Sequence, residues 1–544
     1  MNCRSLVAAL LGMTRKAALL GMTAGALDAQ QPASFTFIGS AAEDRARLDQ
    51  LRGLQPSAGW LVRTASSMSD ADSGRAVLDV PRACALRMGV IPTAAAVTWN
   101  SDIPVARNDG GVWAGRGTTI FAAGGVRARC GRIRAQLAPE LWHARNADFE
   151  VLPSGNPNRS DFANPFHSIQ QSAADMPLRL GTLPITMIQP GQSSVSALMG
   201  PIEIGWGTES QWWGPGIRNA LIMSNNAAGI PAYFLGTPSP VRTRAGALSL
   251  RWIAGYLTES PYYEYALRGF LRPLSGLVIT LAPAIDSNLT LGAARVVYRR
   301  LAESTVIPEH AFDVITRWSV REEEGNNSAD QLASIFARWV FPASRVEAYA
   351  EVARVVLPNL RELLVEPQST QGYTLGLQWL SGPVTRLSWR TQAEVTDLEQ
   401  VRRLRTISPI SFYTSPVVLQ GYTQRGRVIG ATIGPGSQSQ FLAIDGVAPT
   451  WNAGVFFGRI RWDHDEYFPR PAGLSFYAMD VSFYAGLRGT YRGARFDYTG
   501  ELLAEQRMNY LFQSAVNGFG DDRTFDVHNL SLRLSVAPGG RRRD

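Results

Sequence analysis

Lysine is almost absent: Lys16 is the only one in the chain. Beyond that position there is no Walker-type, Schiff-base or kinase-type lysine. Cysteine is scarce. Cys3, Cys84 and Cys130 are too few for a disulfide framework, although Cys84 and Cys130 suffice for one bridge in an oxidising compartment. No stretch after the first residues approaches the roughly 18 apolar residues of a transmembrane helix. Runs such as Leu277-Val278-Ile279-Thr280-Leu281 are strand-sized. No Gly-x-Ser-x-Gly elbow and no His-Glu-x-x-His occurs, and His143, His167, His310, His464 and His528 lack metal-ligand spacing. These absences point to a non-enzymatic chain that uses no cofactor and no metal. Asp463-His464-Asp465-Glu466 reads as a solvated loop tip, with a cation or sugar site as the alternative.

What is present begins with an export signal. Arg4, Arg15 and Lys16 precede Ala17-Ala18-Leu19-Leu20-Gly21-Met22, and small residues follow to Ala29. A charged start, a short apolar core and a small-residue end define a secretory signal peptide, assigned here to residues 1–29. Export removes nucleic acid as a partner. The net charge of +8 falls to +6 once Arg4, Arg15, Lys16 and Asp28 leave with the signal. A positive surface attracts acidic polysaccharide. An Ala-, Gly- and Arg-rich composition is also what a GC-rich genome yields.

Ser40-Ala41-Ala42-Glu43 forms a capping box, Leu48, Leu51 and Leu54 follow at helical spacing, and Gly53 stands where a C-cap belongs. The expectation is an amphipathic helix over residues 40–53, inside an N-terminal helical segment of residues 30–70. From about residue 245 the period changes to two. Ile335, Ala337, Trp339 and Phe341 alternate with Phe336, Arg338 and Val340. Val346, Ala348, Ala350 and Val352 alternate with Glu347, Tyr349 and Glu351, and Leu387, Trp389, Thr391, Ala393 and Val395 stand opposite Ser388, Arg390, Gln392 and Glu394.

Hairpins without helical crossovers, aromatics near strand ends (Trp339/Phe341, Trp379, Tyr467/Phe468, Phe476/Tyr477) and an export signal favour an all-β fold: a large, closed, antiparallel transmembrane β-barrel. Chain length allows roughly 16–20 strands. The barrel is assigned to residues 71–537 and a short basic tail to 538–544.

Two phrases mix Trp with Gly, Asn and Pro. One runs Gly205-Trp206-Gly207, Gln211-Trp212-Trp213-Gly214-Pro215-Gly216 and Ser224-Asn225-Asn226-Ala227. The other contains Asn108-Asp109-Gly110 and Trp113-Ala114-Gly115-Arg116-Gly117. Gly and Asn mark turns, and Trp offers a flat apolar face with one N–H donor. That combination suits a sugar-stacking platform, a membrane girdle, or a turn with Trp wedged beneath it. With Asp175-x-Pro177-x-Arg179-x-Gly181, Asp330-Gln331-Leu332 and Arg338-Trp339, these phrases resemble the signature of the capsule assembly Wzi family.

The resemblance implies an outer-membrane β-barrel that binds capsular polysaccharide or another exopolysaccharide at the cell surface, with helices near its periplasmic end. Outer-membrane lipid and the barrel-assembly machinery are the other partners expected. Candidate polysaccharide contacts are Asn108, Asp109, Trp113, Arg116, Trp206, Gln211, Trp212, Trp213, Asn225 and Asn226. Glu209 is the first carboxylate to consider if the chain were instead a glycan hydrolase. A diffusion channel for small solutes is the competing non-enzymatic reading.

Overall fold

The computed structural model describes residues 36–71, 86–155, 157, 159–167, 173–263, 272–301, 309–317, 320, 329–355, 360–365, 370–382, 387–401, 411–467, 478–513 and 525–538. The signal segment, Cys84, Phe468, Phe476, Tyr477 and the tail from Gly539 lie outside these residues.

Period-two alternation becomes a closed ring of 18 antiparallel strands. The first, Arg87–Asn100, pairs with the last, Val527–Pro538, in the register Ala95 to Val536 through Asn100 to Ser531. Closure leaves no unpaired edge, the condition for β-structure in lipid. Strand Ala329–Phe341 shows how the alternation divides: Ile335 (67% exposed) and Trp339 (42%) face outward, whereas Arg338 (1%) faces the lumen. Strands before residue 245 obey the same rule less legibly. A register shift between Ile91 and Ala94 interrupts the first, and the third is split into Ile133–Leu137 and Glu140–Ala144. Several lumen-facing glycines accept an aromatic ring from the neighbouring strand. A Cβ on Gly376 would lie 1.9 Å from Tyr349 Cζ, and one on Gly458 2.2 Å from Tyr484 Cζ.

Short turns (131–132, 200–201, 284–288, 342–345, 448–450 and 493–495) gather at one end and long connections at the other. In outer-membrane barrels the short turns are periplasmic. Trp339, Phe341, Trp379, Trp389, Trp451 and Tyr491 girdle the outer wall at that end, each at least one-third exposed. Tyr467 does not belong to a girdle. It ends the short helix His464–Tyr467 among the long connections and packs on Phe512 at 6.4 Å. The segment Asp463–Glu466 is likewise not a solvated tip. His464, Asp465 and Glu466 are buried because other loops close over them: His167 Nε2 meets Asp463 Oδ2 at 2.5 Å, Glu399 Oε2 meets His464 Nδ1 at 3.1 Å, and Ser411 Oγ donates to Asp465 Oδ2 at 2.8 Å.

Helix α1, Ala41–Leu51, begins at the expected cap, with Ser40 Oγ accepting from Glu43 N at 3.3 Å. The Glu43 carboxylate returns to Gly39 N at 2.5 Å, one residue before the expected Ser40 N. At the other end Gly53 (φ +71°) donates to Gln50 O and Leu54 to Asp49 O, a Schellman pair. Leu48 and Leu51 pack against Leu380 and Val447 of the barrel, while Leu54 is exposed. A Cβ at Gly53 would also press on Pro342 at 3.2 Å. Gly53→Ala is therefore expected to cost about 1 kcal/mol, read as a lower urea midpoint in micelles. Cys130 ends strand Gly117–Cys130 and is disulfide-bonded; Cys84 lies outside the described residues.

Candidate functional site

The lumen is filled from both motif blocks. Gln211–Trp213 forms a strand inside the ring and pairs with Val62–Thr64 of the N-terminal segment, Val62 against Trp213 and Arg63 against Trp212. Trp213 is fully buried. Its ring lies where a Cβ on Gly276 would meet it at 2.9 Å, and its Nε1 donates to Gln211 Oε1 at 3.1 Å. Arg251 Nε donates to the same oxygen at 3.2 Å. Trp212 packs with Ile38, Met68 and Ala220, under the Arg63 guanidinium at 5.2 Å.

Gly214-Pro215-Gly216 then turns the chain, and the backbone that follows docks onto carboxylates of the barrel wall. Ile217, Arg218 and Asn219 N donate to Glu394 at 2.7–3.1 Å, and Leu221 N donates to Glu351 Oε2 at 3.1 Å. A carboxylate aimed at consecutive N–H groups satisfies donors that burial would otherwise strand. Helix α1 is fixed in the same way. Arg47 reaches Glu347 and also donates to Pro215 O at 2.7 Å; Arg338 meets Glu347 at 2.9 Å and Gln50 at 2.6 Å; Arg390 meets Asp44 at 2.7 Å. Burial pulls Arg63 down to about 10, opposed by its 2.7 Å pair with Glu43, so it remains charged at neutral pH.

Glu209 is buried, accepting from Ser66 Oγ (2.9 Å) and Gln136 Nε2 (3.0 Å), with Arg251 at 4.0 Å. Burial raises its pKa, against the Arg251 charge. Two small voids flank Glu209 and Gln211, and the larger offers about 10 Å³, room for one water at most. No sugar fits there as the structure stands.

The two motif blocks meet. Asn108, with φ +57°, donates through Nδ2 to Arg218 O at 2.8 Å, Asn225 Nδ2 donates to Asn108 O at 3.1 Å, and Gly110 N donates to Asn225 O at 2.8 Å. Arg427 donates to Gly110 O and Asn226 O and lies 5.9 Å over the Trp113 ring. Burial lowers the Arg427 pKa and Asp109 raises it. Trp113 Nε1 donates to Asn146 at 3.0 Å, and Asn226 Nδ2 to Val428 O at 2.9 Å. Asp109 pairs with Arg533, whose side chain is 44% exposed, so water reaches the wall here. Arg116 ties Ser101 O to Asp148 O. The Oδ1 atoms of Asn108 and Asn225 and the Nε1 of Trp212 are buried without a hydrogen-bond partner among the described residues.

Asn108, Asp109, Trp113, Asn225 and Asn226 thus form one cluster, and Gln211, Trp212 and Trp213 belong to the lumen plug. Trp206 joins neither. It faces outward, 40% exposed, level with Tyr233 on the next strand. The remaining motifs also hold structure. Asp175 binds Ser260 N and Oγ, with its pKa raised by burial, and Arg179 lies between Phe149 and Phe162. Sequence reasoning missed the docking role of Glu347, Glu351 and Glu394; their place on the polar face of alternating strands was the available signal. Nothing local marked Arg47 or Arg63.

The model of the family described as capsule assembly protein Wzi matches residues 90–446. The chain belongs to the capsule assembly Wzi family. Among solved structures, this Wzi-family chain resembles Wzi of Escherichia coli at 13% identity and TM-score 0.53, over 93% of this chain and 95% of the other. That protein is described as an outer-membrane protein involved in group 1 capsule assembly and as a carbohydrate-binding β-barrel. A BenF-like porin from Pseudomonas fluorescens Pf-5 matches at 7% identity and TM-score 0.39, over 84% and 99%. A comparison with curated protein sequences finds no match. Family and fold together place this Wzi-family barrel in the outer membrane.

Proposed function

We propose that this barrel binds exported capsular or exopolysaccharide at its extracellular end and attaches it to the cell surface. Family membership combined with a filled lumen carries the reading. Glu347, Glu351, Gln378 and Gln392 face the lumen yet are at most 2% exposed, which disfavours a diffusion channel. Asn108, Asp109, Arg116 and Asn225 are the half-buried members of the motif set and the proposed polysaccharide contacts. Their amide, carboxylate and guanidinium groups suit sugar hydroxyls and uronate carboxylates. Trp113, Gln211, Trp212, Trp213 and Asn226 support that surface from beneath, and no catalytic role is assigned to Glu209.

Deleting the gene from a capsule- or exopolysaccharide-producing host is expected to leave total polysaccharide unchanged while moving it from cells to medium. A glycan array probed with the detergent-solubilised protein is expected to return acidic polysaccharides. Full surface retention in the deletion strain together with an empty array would overturn the proposal, and a large steady current in planar bilayers would favour the channel.

A further inference from the structure

A segment of the long connection after strand Leu289–Arg299 lies against the outside of the barrel. It comprises Glu309–Arg317 and contains the short helix Asp313–Thr316. It meets outward-facing positions of the wall. Trp252 Nε1 and Ser275 Oγ both donate to Ala311 O, at 3.0 and 2.6 Å. Phe312 stacks on Trp252 at 4.9 Å with planes 10° apart. Arg295 Nη1 donates to Val314 O at 3.0 Å, and Arg299 pairs with Asp313 at 2.5 Å. Ser275, Arg299 and Gln331 belong to the outer wall by register, yet each is at most 2% exposed beneath this strap.

The height of the strap decides what surrounds it. Leu289 pairs with the girdle residue Trp339. With about 3.3 Å per residue and a tilt near 40°, Arg295 stands roughly 15 Å and Arg299 roughly 25 Å above that girdle. The apolar band of such barrels is about 25 Å tall. On two strands farther round the ring the outward apolar faces run from Trp451 to Phe457 and from Tyr491 to Phe483, roughly 15 and 20 Å up from the same girdle. The strap therefore covers wall at the level of the outer leaflet, where uncovered Arg295, Arg299, Ser275 and Gln331 would present a polar patch to lipid. In place of that patch it presents Phe312 (52% exposed) and Ile315 (57%), one helical turn apart, while Asp313, Val314 and Ala311 face the wall.

We infer that the Glu309–Arg317 strap is embedded in the outer leaflet, with Phe312 and Ile315 against lipid acyl chains. Phe312 and Ile315 continue the lipid-facing belt of Leu277, Ile279 and Leu291; the exposed Thr316 hydroxyl donates to Phe312 O at 3.1 Å, and the exposed Glu309 stands at the start of the strap. The partner is lipid rather than a second copy of this chain, because the strap's apolar face is continuous with a surface that lipid already covers. This inference rests on the barrel standing in a membrane and not on any role in polysaccharide binding.

Nitroxide labels on Ile315→Cys and, separately, Phe312→Cys test it in the full mature protein reconstituted in bilayers. The readout is the ratio of collisions with oxygen to collisions with a water-soluble nickel complex. Leu291→Cys marks the lipid belt, Asp161→Cys the extracellular aqueous side, and labelled unsubstituted protein the background. Both strap sites are expected to match Leu291→Cys and to exceed Asp161→Cys several-fold, unchanged on dilution with lipid. A ratio like that of Asp161→Cys would overturn the inference. Burial lost on dilution, which signals a protein contact, would overturn it equally. Phe312→Cys gives up the stack on Trp252, whereas Ile315→Cys leaves every named wall contact in place, so the Ile315 label decides the result if the two sites differ.

Discussion

Glu347→Gln is expected to release the N-terminal plug. Glu347 is fully buried between Arg47 of helix α1 and Arg338 of the barrel wall, and Gln leaves both guanidiniums without their counter-charge. Breaking a buried ion pair from one side costs about 3–5 kcal/mol. The ring itself, held by 18 hydrogen-bonded strands, is expected to survive as a heat-modifiable band on cold gels. Trypsin then cuts at Arg45 and Arg52, and planar bilayers show flickering current where the parent is silent. Replacing Arg47, Arg338 and Glu347 together by Met, Met and Leu is expected to restore most of the protease resistance, since well-packed apolar side chains substitute for a buried ionic cluster at little cost. Unchanged resistance and silence in Glu347→Gln would show that packing alone holds α1.

Trp213→Ala is expected to have a comparable effect by a different route. The side chain is fully buried among Leu221, Ile253, Val278 and Val296, and Gly276 is open to receive it. Removing a buried Trp costs about 3–5 kcal/mol, which should appear as protease sensitivity of the 208–231 segment and a lower urea midpoint. Trp206→Ala, on the lipid-facing wall, is expected to lose on the order of 1 kcal/mol or less. If Trp213 were itself a sugar platform, Trp213→Ala would abolish glycan binding with the urea midpoint intact. The structure predicts the midpoint falls first.

The barrel was legible because its outward and inward positions differ so sharply in residue type. Ile335/Trp339 against Arg338, and Val346/Val352 against Glu347/Glu351, divide as alternation requires. The cap of α1 was legible because its signals lie within a few residues of one another. What filled the lumen was not, since Arg47 and Glu347 are 300 residues apart. The polar face of a strand looks the same whether it meets water or a plug. Asp463–Glu466 was misread for the same reason: His167 and Glu399 arrive from other loops to cover it. In the Trp-Gly-Asn motifs, residue type left a sugar platform, a membrane girdle and a turn with Trp wedged beneath it all open; the positive φ of Asn108 and Gly214 and the N–H groups given to Glu394 show the fastening role. The partly exposed Asn108–Asp109 corner, beside the open Arg533 side chain, is the part where both roles are available.

The ring is joined between its first and last strands, Arg87–Asn100 and Val527–Pro538. Helix α1 and the Gln211–Trp213 strand precede that final strand in the chain, and both end up enclosed. Docking a helix clasped by Glu347 and a turn clasped by Glu394 into a finished hoop means entering through its ends and desolvating those carboxylates late. Wrapping around an already gathered kernel is therefore the economical order of birth, with the last strand acting as the clasp. The same carboxylates that hold the kernel would serve as its mould, and a chain lacking residues 36–64 should close more slowly, or around nothing.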